Sequence, residues 1–66
     1  MLNNNIYNLM MQITEEHKSL WRIKDEYLKD SEGNDSSTDF WKRMAEDKEN
    51  HIKELTSLIK TELNKM

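Results

Sequence analysis

Asp30-Ser31-Glu32-Gly33-Asn34-Asp35-Ser36-Ser37-Thr38-Asp39 is the stretch that divides this chain. It holds the only glycine of a sequence that has no proline. Ten consecutive residues that are small, polar or acidic cannot continue an apolar stripe, so they read as a loop. Gly33 or Asn34 can supply a positive-φ position there, and Ser37, Thr38 or Asp39 can cap a helix that follows. On both sides the apolar residues return at helical spacing. Upstream, Leu2, Ile6, Leu9, Ile13, Leu20 and Tyr27 recur on one face; downstream, Trp41, Met44, Ala45, Ile52, Leu55, Ile59 and Leu63 do the same. The expectation is all-α: a first helix over about 4–30, a loop over 31–36 and a second helix over about 37–64. No alternating run is long enough for a strand. A loop this short makes the two helices pack antiparallel as a hairpin.

Charge spacing agrees with two helices. Asp25 with Lys29, Lys42 with Glu46, and Glu49 with Lys53 are opposite charges four residues apart, each contributing a few tenths of a kcal/mol on a solvated face. Asp39 near the start of the second helix and Lys65 near its end suit the helix dipole.

The totals bound what such a chain can do. Sixty-six residues allow one small domain, and a chain of this size buries only ~60% of the surface it exposes when unfolded. Hydrophobic content is 35% and there is no cysteine, which excludes disulfides, thiolate zinc sites and thiol catalysis. A scaffold this small then calls for a metal or for self-association. Phe40, Trp41, Met10, Trp21 and Leu58 lie toward stripe edges that one partner helix cannot cover. Two hairpins packed as a four-helix bundle would bury them, so a homodimer is expected.

With 13 acidic against 10 basic residues, the net charge of −3 offers nothing to nucleic acid or to an anionic membrane. No apolar run approaches the ~18 residues of a membrane span, and the Met-Leu-Asn-Asn-Asn start has no signal-peptide pattern. A soluble, cytoplasmic protein is the expectation.

Each apolar stripe carries a polar break. Lys48 falls in the middle of the second stripe, with His51 one turn on, while Glu16 and His17 interrupt the first. An unpaired buried ammonium is strongly disfavoured. A hairpin turning near residue 34 sets Glu16 and His17 opposite His51 and Ile52, with Lys48 about one turn away. Lys48 therefore pairs with Glu16 as a polar layer in the core, finds another carboxylate, or runs its stem along the seam and carries its charge to water. Asp47 and His51, four apart, form a weaker chelating pair because Asp47 is turned toward solvent.

Phe40-Trp41, Met44-Ala45-Glu46 and the Lys48-Glu49-Asn50-His51 step resemble the second metal-bearing helix of ferritin-like and rubrerythrin-like proteins. Glu15-Glu16 followed by Trp21 and Tyr27 is similar to their first ligand helix. The resemblance covers half of a four-helix fold, and similar half-length chains assemble by dimerisation. It implies Glu16 as a carboxylate ligand, ahead of Glu15, which points off the apolar face, with His51 as the histidine, His17 or Asp47 assisting, and iron or another divalent metal bound in the dimer core. Lys48 stands where the pattern needs its bridging glutamate. A protonated ammonium does not ligate and repels a cation.

Two functional readings follow. The first is a small self-associating helical protein with a structural or partner-binding role and a non-functional ferritin-like site, holding no cofactor. The second is a ferritin-like homodimer that binds iron. An enzyme acting through protein groups is not expected, since there is no nucleophile elbow and no glycine-rich phosphate loop.

Overall fold

The computed structural model describes residues 3–65. Leu2 of the first stripe lies outside them. Among the described residues the chain is helical throughout, with no strand: α1 spans Asn4–Arg22, a π-helical segment spans Ile23–Tyr27, α2 spans Leu28–Asp30 and α3 spans Asp35–Asn64. The first three run on as one rod. The Ile23 amide reaches back to Ser19 and Leu20, and the Leu28 amide to the Ile23 carbonyl.

Both rods start on an asparagine. The Asn3 side-chain oxygen accepts from the Ile6 amide at 2.8 Å, and that of Asn34 from the Ser37 amide at 3.1 Å. Each satisfies one of the free N–H groups of a first turn. The cap on α3 corrects the sequence reading: the helix starts at Asp35, ahead of Ser37, Thr38 and Asp39, and the loop shrinks to residues 31–34. Thr38 is engaged elsewhere. Its hydroxyl lies 2.8 Å from that of Ser31 and donates to the Ser31 carbonyl at 3.1 Å, so the turn is latched across its base. Gly33 takes φ +86°, the left-handed conformation that a glycine reaches without a Cβ penalty.

The rods are antiparallel and form a single layer of 50 × 16 × 13 Å. From the turn outward they meet through Ser31 and Thr38, then Tyr27 and Trp41, whose ring centroids are 4.8 Å apart, then Glu16 and Lys48. The interior is thin. Among the described residues Ile6, Ile23 and Ala45 are the buried apolar side chains, while Leu9, Ile13, Leu20, Met44, Ile52, Leu55 and Ile59 are half-buried. Ile23, absent from the expected stripe, is 1% exposed. It opens the π segment, whose wider i→i+5 turn turns back the residues that follow and leaves Leu28 half-buried beside Tyr27.

Five apolar side chains were expected at uncovered edges. Trp21, Phe40 and Leu58 are exposed, Trp21 at 60%, whereas Met10 and Trp41 are half-buried. Tyr7, Met11 and Leu63 are exposed as well. None of the three expected charge pairs at four-residue spacing closes among the described residues. Glu49 meets Lys24 across the seam at 2.6 Å instead. That bridge holds the Glu49 carboxyl below its ordinary value, through the Lys24 hydrogen bond first and its charge second. Both partners are about half exposed, so the pair adds little stability.

Candidate functional site

Among the described residues Glu16 is the buried charged side chain, 6% exposed. It sits on α1 between the seam residues Ile13 and Leu20, where the helical period calls for another aliphatic side chain. Its two oxygens have separate partners on α3. Oε2 accepts from Lys48 Nζ at 2.6 Å, and Oε1 lies 2.6 Å from His51 Nδ1. Lys48 and His51, three residues apart, share a face of α3 and so reach the same carboxylate. A carboxylate only accepts, which places a proton on His51 Nδ1. No buried side-chain nitrogen or oxygen among the described residues lacks a partner.

Opposing effects act on this carboxylate. Burial pushes the Glu16 carboxyl up, but the hydrogen bonds from Lys48 and His51, together with their charges, prevail and hold it below its ordinary value of 4.5. A carboxyl depressed in the folded state stabilises the fold above its unfolded pKa, and the stabilisation is lost as pH falls through the folded value. Stability is therefore expected to decline as pH drops below about 4.5. Glu16→Gln should flatten that acid limb in urea titrations at stepped pH. An unchanged limb would show that Glu16 is not the titrating group.

The donor set does not suit a divalent cation. Both Glu16 oxygens are engaged, and one of them by an ammonium. Among the described residues no group of three or more His, Asp or Glu side chains is placed to hold a metal ion. His17 does not join the cluster, which corrects the expectation that it stands with Glu16. One residue beyond Glu16 is ~100° further round a helix, and His17 is exposed in a surface depression with Lys18, Trp21, Arg22 and Glu26. Asp47, on the neighbouring turn of α3, is exposed.

A second depression, of about 210 Å³, opens directly above the cluster, lined by Gln12, Glu16, His51, Glu54, Leu55 and Leu58. Its floor is largely apolar around one buried carboxylate. Sequence reasoning did not single out this surface, although Leu55 and Leu58, a helical step apart and just past His51, mark it. No helix among the described residues is long and apolar enough to cross a membrane.

Comparison of the chain with protein-family models, curated proteins and solved structures finds no match.

Proposed function

We propose that this protein is a small self-associating helical module with a structural or partner-binding role, working as a homodimer in which two hairpins form a four-helix bundle. The observation that carries this reading is the imbalance between what the hairpin buries and what it leaves in water. Among the described residues three apolar side chains are buried, while Tyr7, Met11, Trp21, Phe40, Leu58 and Leu63 are 42–60% exposed. A single layer 13 Å thick has no second layer to pack on, and stable domains are built from at least two. The Glu16 cluster supports a structural role in the same module, because Lys48 already supplies the counter-charge that a metal would bring. The resemblance to ferritin-like half-bundles then concerns the plan of the assembly, with the metal replaced by a lysine.

Self-association makes stability depend on concentration by mass action. The thermal midpoint, followed by circular dichroism at 222 nm, is expected to rise steadily as protein is raised from about 1 to about 100 µM. A midpoint that stays constant over that range would overturn the proposal.

A further inference from the structure

We infer that the second copy docks antiparallel on the face of α3 that carries Phe40, Met44, Lys48, His51, Leu55 and Leu58, and that Lys48 of each copy donates to His51 Nε2 of the other. This rests on the self-association proposed above. It adds the face, the orientation and the contact that sets the register.

Three observations single out this face. The first is its pattern, which reads alike from either end. Laid antiparallel on itself about a point between Lys48 and His51, the strip sets Phe40 against Leu58, Met44 against Leu55 and Lys48 against His51. A two-fold interface needs that self-complementarity, since every contact occurs twice. Apolar residues meet apolar residues, and the polar layer meets itself.

The second is chemical. His51 uses Nδ1 to bond Glu16, and Nε2 has no partner among the described residues, so in the neutral ring it is a free acceptor. Lys48 has three donor protons and spends one on Glu16. Each copy thus offers at one level the donor and the acceptor that the other needs. The closed layer would hold two Glu16 and two Lys48 charges in balance. A slip of one helical turn would set this layer against Met44 and Leu55, stranding charges against apolar side chains. Fixing register is the best-attested use of such buried polar groups.

The third is size and charge. The broad side of the hairpin spans 50 by 16 Å, a projection of roughly 800 Å² that gives room for a standard interface of about that area per copy. The opposite side of the hairpin carries the Lys24–Glu49 bridge, and helical rotation places Lys42, Lys53 and Lys60 there too, beside Trp21, which this docking leaves exposed. Charged residues are depleted at interface centres, so that side suits solvent.

Cysteine crosslinking tests the geometry on a chain with no cysteine of its own. The double variant Phe40→Cys/Leu58→Cys is expected to oxidise to a disulfide-linked dimer, whereas each single variant stays unlinked. Residues 40 and 58 of one helix are about 27 Å apart, too far for a bridge within a copy. Met44→Cys/Leu55→Cys repeats the test one turn further in, should the outer pair disturb folding. Linked dimers from the single variants, or none from either double variant in a sample whose native mass is that of a dimer, would overturn the docking geometry and leave self-association standing. A native mass of one 8.0 kDa chain at about 100 µM would overturn both.

Discussion

Ile23→Ala is expected to remove most of this protein's stability. Ile23 is 1% exposed, at the start of the π segment and against α3. Truncating a buried isoleucine costs about 2–5 kcal/mol, from lost transfer free energy and from the cavity left behind. A chain of 66 residues has roughly 3–10 kcal/mol in all. With Ile6 and Ala45 as the other buried apolar side chains, few neighbours can collapse into the gap. The urea midpoint measured by circular dichroism should fall by a third or more of its starting value. Truncation of Met11, 47% exposed, should move it far less. Equal shifts for the two would contradict the placement of the core.

Lys48→Met should have the second largest effect, and its sign depends on what is changed with it. Methionine keeps the length of the side chain and removes the ammonium that meets Glu16 at 2.6 Å. A carboxylate 6% exposed then keeps His51 as its one partner. Leaving a buried charged group short of a partner costs about 1–3 kcal/mol or more. The Glu16 carboxyl would also rise, because burial still pushes it up while the Lys48 hydrogen bond and charge are gone. Acid unfolding should therefore begin at higher pH than in the parent. The double variant Glu16→Leu/Lys48→Met should recover the lost stability or exceed it, since buried ion pairs are often replaced by apolar groups at no cost. What it should lose is a single register, seen as doubled or broadened backbone amide peaks in NMR spectra. A double variant as unstable as the single one would show that the pair stabilises the fold outright.

The hairpin is legible in the sequence because its signals are local and agree. The polar run from Asp30 to Asp39 breaks two stripes of helical period, and nothing competes with that reading. The level at which Glu16 faces Lys48 and His51 follows from the turn position alone, as residues about equally far from a tight turn meet across an antiparallel pair. Other features depend on information that a window of residues does not carry. Ser37, Thr38 and Asp39 are all fair caps by type, and Asn34 starts the helix while Thr38 is held in a latch with Ser31. The π segment is a choice of hydrogen-bond register, and Ile23-Lys24-Asp25-Glu26-Tyr27 has no composition that announces it. His17 looks equivalent to Glu16 in a list of stripe breaks, yet one step round the helix takes it from seam to surface. Surface pairs four apart are worth so little that a partner across the seam wins, as Lys24 does for Glu49.

The polar layer links fold and proposed role. Glu16 is costly to bury and has two partners on α3, one of which, His51, lines the depression that also holds Leu55 and Leu58. In the proposed dimer such a polar layer would hold two hairpins in one alignment.

Sedimentation equilibrium of the unmodified protein at neutral pH distinguishes a dimer from a free hairpin. At about 10–100 µM the chain should behave as a dimer of twice 8.0 kDa and shift toward the single chain on dilution. A folded, helical species of one chain at every concentration would contradict the account.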